Sequence, residues 1–75
     1  MKKRQLLRVL RAAHEPRLRQ GQVAQLAGLA VFRYWQIENG DGPAPKKEER
    51  EAIAEVLGVE VSDIAWPEIL ERMRA

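Results

Sequence analysis

The sequence predicts an all-α fold, a compact bundle of about five or six short helices, because apolar residues recur three and four apart in short segments. Two further observations point to the same class. Gly and Pro punctuate the chain between those segments, at Glu15-Pro16, Gly28, Asn39-Gly40, Gly58 and Pro67. Thr, Ser and other β-favouring residues are rare, and no stretch reads as a sheet.

A first helix is expected from near Lys3 to near Ala13, where Leu6, Leu7, Leu10 and Ala13 recur at helical spacing before Glu15-Pro16 stops it. Gln20 to Ala27 forms a short second helix with Val23, Ala24, Leu26 and Ala27 as its apolar positions and Gly28 as a left-handed stop. A third helix spans Val31 to Asn39, and Asp41-Gly42-Pro43-Ala44-Pro45 is a loop by its turn residues. The clearest amphipathic segment is Lys46 to Leu57, with Ile53, Ala54, Val56 and Leu57 on one face and Gly58 closing it. A fifth short helix is expected near Ser62-Asp63. Pro67 is placed as the first residue of a last helix bearing Ile69, Leu70 and Met73.

Seventy-five residues make a single domain, 1–75, since a chain this short buries only roughly 60% of the surface its unfolded form exposes. With 45% hydrophobic and 32% charged residues the composition is that of an ordinary soluble globular protein. The absence of Cys excludes a disulfide framework and a thiolate metal site, so apolar packing or dimerisation must hold the fold, and cytoplasm is the expected compartment. Leu6 to Leu10 is interrupted by Arg8 and followed by Arg11, which leaves no apolar run suited to export or to a membrane.

Net charge is +2, but Met1 to Ile37 carries eight Lys/Arg against Glu15 alone, whereas the remainder carries five against ten acidic residues. The halves thus stand at +7 and −5, a split that either suits the first half to a polyanion or merely solvates the helices.

Two short helices joined by a tight turn at Gly28-Leu29-Ala30 match the geometry that delivers a second helix into the DNA major groove. The residues themselves, RQGQVAQLAGLAVFRYWQIENG followed by IAEVLGVEVSDI, resemble the lambda repressor and Cro (Xre) helix-turn-helix family over about Leu18 to Trp66. The similarity rests on Gln20, Ala24, Ala27 and Gly28, on the ending Ile37-Glu38-Asn39-Gly40, and on Ala54 through Val59. It implies a lambda repressor-like fold and a sequence-specific regulator of repressor type that binds double-stranded DNA with helix 31–39 in the major groove. It further implies that Gln20 opens the second helix against a phosphate. Val31, Phe32, Arg33 and Gln36 would then face base edges or backbone, and Asn39 with the lysines Lys46 and Lys47 would touch phosphate. Two departures stand out: Arg19 and Ala30 occupy positions where the family usually has Ser or Thr N-caps, and the connection containing Pro16 is longer than usual.

A third departure is chemical, because the recognition segment reads Val31-Phe32-Arg33-Tyr34-Trp35-Gln36 and holds three of the four aromatics. At about 100° per residue, Ala30, Tyr34 and Ile37 share a face expected to be core, and Phe32, Trp35, Gln36 and Asn39 lie opposite. Exposed there, Phe32 and Trp35 serve either thymine methyl groups or a protein interface; a shifted helix would instead turn Trp35 into the core. Gln36 paired with adenine, or Arg33 with guanine, would each contribute roughly 1–3 kcal/mol of discrimination, and Arg33 equally suits phosphate. Lys46 and Lys47 could instead pair along their own helix with Glu48, Glu49 and Glu51. Trp66 stands where the family commonly has an apolar residue covering the core, so the resemblance implies a structural role for it. The stripe Ile69, Leu70 and Met73 either joins two subunits as a homodimer or packs back on its own domain.

Catalysis finds no support: Ser62, the sole Ser, and His14, the sole His, lie far apart on expected helix margins, and no glycine-rich phosphate loop occurs. No metal and no cofactor is implied, since one His and dispersed carboxylates offer no ligand spacing. The rival function is a protein-interaction module whose Phe32 and Trp35 face grips a toxin or the transcription machinery.

Overall fold

The computed structural model describes residues 3–67. Among them are four α-helices, α1 (Leu7–Ala13), α2 (Gln20–Ala27), α3 (Val31–Asn39) and α4 (Lys47–Leu57), and one 3-10 turn at Val61–Asp63. The expected fifth helix is thus only this turn. Pro67 is helical, and the rest of the expected last helix, with Ile69, Leu70 and Met73, lies outside the described residues.

The first helix begins at Leu7 rather than near Lys3. Lys3 and Arg4 would set positive charge against the partly positive helix N-terminus. The backbone of Gln5 is also engaged elsewhere: its N–H donates to the Asp63 carbonyl (2.9 Å) and its carbonyl accepts from Ala65 (2.8 Å). This lone parallel bridge to Ile64 ties the start of the chain to its last described segment, and no strand forms among the described residues. The connection from α1 to α2 contains a cis Glu15-Pro16 bond and closes where Leu18 N–H reaches the Arg11 carbonyl at 3.1 Å.

Gly28 ends α2 in the left-handed region at φ +73°, which lets Leu29 N–H return to the Ala24 carbonyl at 2.8 Å and aims the chain directly into α3. Arg19 and Ala30 are the N-cap residues of α2 and α3, and neither supplies a capping side chain. Gln22 compensates at α2: its Oε1 accepts the Arg19 backbone N–H at 2.8 Å, the return half of a capping box. Glu49 does the same for Lys46 N–H (2.8 Å) at the start of α4, and Asp63 for Glu60 N–H (3.0 Å) at the 3-10 turn.

One core joins all elements. Leu7 and Leu18 meet Val23 and Ala24 of α2, Tyr34 and Ile37 of α3, Ile53, Ala54 and Leu57 of α4, and Ile64 and Trp66 beyond it. Trp66 is buried as its structural reading required, its indole N–H donating to the Val61 carbonyl at 3.1 Å, with the Arg50 guanidinium 5.8 Å from its ring. Three positions that the periodicity placed on inward faces point to solvent instead: Ala13 at the end of α1, Leu26 on α2, and Ala30, which precedes α3 rather than sharing its buried face.

Candidate nucleic-acid interface

Helix α3 lies with Tyr34 and Ile37 in the core. From that buried stripe the 100° step sets Arg33 on one flank and Glu38 on the other, and leaves Val31, Phe32, Trp35, Gln36 and Asn39 on the outward side. Each flank carries a two-pronged ion pair to a neighbouring helix.

On one flank Arg11 of α1 donates from Nε to Glu38 Oε2 (2.8 Å) and from Nη2 to Oε1 (2.6 Å), and its Nη1 reaches the Leu18 carbonyl at 3.2 Å. Gln20 Nε2, at the start of α2, adds a bond to Glu38 Oε1 at 3.2 Å. Burial alone would raise the Glu38 carboxyl, but the hydrogen bonds and charge of Arg11, with the Tyr34 hydroxyl and Gln20 beside them, outweigh it and hold the group below its usual range. The Tyr34 hydroxyl lies buried beside this pair with no hydrogen-bond partner among the described residues. Burial first, and the adjoining Glu38 carboxylate second, push that phenol well above its ordinary value.

On the other flank Arg33 donates from Nε to Glu49 Oε2 and from Nη2 to Oε1, both at 2.8 Å. Its Nη1 reaches the Pro43 carbonyl (3.0 Å) and its Nη2 the Ala44 carbonyl (3.3 Å). One guanidinium thus holds α3, the 41–45 loop and the first turn of α4 together. Those Arg33 hydrogen bonds, set against a smaller burial effect, and a further bond from the Lys46 backbone lower Glu49 to about 2.

The outward side is apolar at its start. Val31 is 56% exposed, Phe32 66% and Trp35 39%. The Phe32 and Trp35 rings stack on each other with centroids 5.8 Å apart and planes within 12°, so Trp35 projects away from the core as the helical register required. Gln36 is half-buried and leans on the loop; a Cβ on Gly42 would stand 2.7 Å from its Nε2. Asn39 is exposed and donates from Nδ2 to the Trp35 carbonyl at 2.9 Å. Lys46 and Lys47 are exposed, and Lys47 makes only a loose 3.9 Å pair with Glu51.

The sequence-derived set therefore divides. Val31, Phe32, Trp35, Gln36 and Asn39 share one side of α3; Gln20 sits near its C-terminal part through Glu38, and Lys46 and Lys47 adjoin its start through Glu49. Arg33 stands apart on the flank. The residues that sequence reasoning missed are Arg11, Glu38 and Glu49, which set the pose of α3. A signal existed in the helical wheel, which puts residues 33 and 38 at the borders of the buried stripe, but nothing in the sequence names their partners.

A helix, a three-residue turn and a second helix held with one face outward define the helix-turn-helix class. Set against known protein families, residues 4–66 match the one described as Helix-turn-helix domain. The chain belongs to that family, which falls in the Xre and Cro-like group. Neither a curated protein sequence nor a solved structure matches the chain.

Proposed function

We propose that this domain is a sequence-selective DNA-binding transcriptional regulator of repressor type on a lambda repressor-like fold, inserting α3 into the major groove of duplex DNA. The observation that carries the reading is the outward side of α3. Among the described residues it is exposed, and the helix starts tied to α3 through Glu38 and Glu49 carry exposed cations, Arg19 before α2 and Lys46 and Lys47 at the start of α4. Helix-turn-helix domains use such a helix for base edges and their flanking N-termini for phosphates.

In this reading Gln20, Asn39, Lys46 and Lys47 bind the backbone, and Val31, Phe32, Trp35 and Gln36 meet base edges. Arg33 acts as a positioning residue, because four of its hydrogen bonds already serve Glu49 and the loop. Repression would follow from occupancy of a site that the transcription machinery needs. The setting is the cytoplasm, and no helix among the described residues is long and apolar enough to cross a membrane.

Selection of binding sites from a random duplex pool, followed by a salt titration of the selected site, tests this. A recovered consensus whose affinity falls steeply with salt supports it. Failure to bind any duplex, together with saturable Phe32- and Trp35-dependent binding of a protein, overturns it in favour of an interaction module.

A further inference from the structure

Resting on that DNA-binding reading, we propose that the outward side of α3 recognises the C5-methyl groups of thymine, with Phe32 and Trp35 as the contacting side chains. A stacked pair three residues apart, with planes within 12°, presents one continuous apolar plate at the start of the helix, extended by Val31. In the major groove the apolar group that a base edge offers is the thymine methyl; the remaining features are donors and acceptors.

The charged alternative on this helix is already engaged within the domain. Arg33 is the only Lys or Arg of α3, and its fork already grips Glu49 while its remaining reach goes to the Pro43 and Ala44 carbonyls. Turning it towards guanine O6 and N7 would strand the Glu49 carboxylate. Gln36, the polar side chain beside the plate, has the amide that pairs with adenine, the base opposite thymine. The side therefore addresses A·T pairs.

A polyanion is the occupant that the charge favours. The Gln20–Glu38 bond places the start of α2, with exposed Arg19, near the end of α3, and the Arg33–Glu49 bond places Lys46 and Lys47 near its beginning. The outward side of α3 thus has cations near both ends of the helix, as phosphate rows on either side of a groove require.

The test uses the full chain and a duplex selected from a pool with a randomised core, then remade with deoxyuridine in place of every thymidine. Uracil keeps base pairing and O4 but lacks the methyl group. Affinity should fall about fourfold per contacted methyl, the equivalent of ~0.8 kcal/mol for one buried methylene. Phe32→Ala and Trp35→Ala, each verified as folded by circular dichroism, should bind the thymine and uracil duplexes alike. Equal affinity of the unsubstituted protein for both duplexes, with a scrambled duplex still rejected, overturns thymine recognition and leaves DNA binding standing. A thymine preference that survives both substitutions overturns the assignment to Phe32 and Trp35. Absence of any preference for the selected over the scrambled duplex overturns both readings.

Discussion

Arg11 and Arg33 show what a single charged side chain does in a domain this small. Both grip a carboxylate with two prongs, yet their surroundings differ: the Arg11–Glu38 pair is 17% and 8% exposed, the Arg33–Glu49 pair 20% and 15%. Removing one partner of a covered pair strands the other charge, which costs more than losing the bond itself. Arg11→Ala should therefore destabilise by about 2–4 kcal/mol, and Glu38→Gln by less, because the amide can still accept from Arg11. In Arg11→Ala the stranded Glu38 carboxyl should titrate higher, so this variant should gain stability relative to the parent as pH falls from 7 to 5; thermal melts across that range check both points. Tyr34→Phe should be neutral or stabilising, since the hydroxyl it removes is buried without a partner among the described residues. A drop in melting temperature would show that the hydroxyl is bonded.

The Arg33–Glu49 pair also predicts a pH dependence. Its carboxyl is lowered from 4.5 to about 2 in the folded protein, so the stability it contributes is fully present above about pH 4.5 and is lost as pH falls towards 2. Arg33→Ala should lower stability near neutrality by about 1 kcal/mol, since the pair is only partly shielded from solvent, which is ~4–8 °C for a domain of this size. It should also flatten the acid limb of the melting curve between those pH values. An unchanged acid limb would mean that the pair contributes nothing to folding.

At the scale of the element, α3 is a helix with three kinds of side: one buried, two clamped and one open. The open side owes its freedom to Gly28 and Gly40, whose left-handed conformations let the chain enter and leave the helix without covering it. Phe32→Ala and Trp35→Ala should change stability by less than about 0.5 kcal/mol, because neither ring belongs to the core. Their effect should fall on affinity for a selected duplex, and Gln36→Ala should relax a different base position. If either aromatic substitution unfolds the domain, the register of α3 described above is wrong.

Across the whole molecule, the charge division by sequence halves is not the division in space. Arg11 and Arg33 belong to the basic half and Glu38 and Glu49 to the acidic one, and folding pairs them. What remains for a polyanion is the set of exposed cations, including Arg17, Arg19, Lys46 and Lys47. If these neutralise about four phosphates, the slope of log affinity against log salt should be about −3 to −4 per domain. Arg19→Ala combined with Lys47→Ala should reduce it by about 2 without altering the preferred sequence. A change of consensus in that double variant would place one of these residues at a base edge.

Periodicity and punctuation in the sequence determined the all-helical class, the bounds of α2 and α3 and the outward register of Phe32 and Trp35, because each depends on residues a turn or less apart. Where a long-range partner decides, the sequence was silent. The start of α1 moved to Leu7 because Gln5 pairs with residues 63 and 65, nearly the whole chain away. Leu26, read as an inward apolar position, faces solvent because Val23, Ala24 and Ala27 already face the packed side of α2. Arg33 carries the same composition signal as a base-reading arginine, and only the tertiary structure brings Glu49, sixteen residues on, within reach of its guanidinium. Local spacing sets which face a side chain occupies; what waits on that face is decided by how the helices pack.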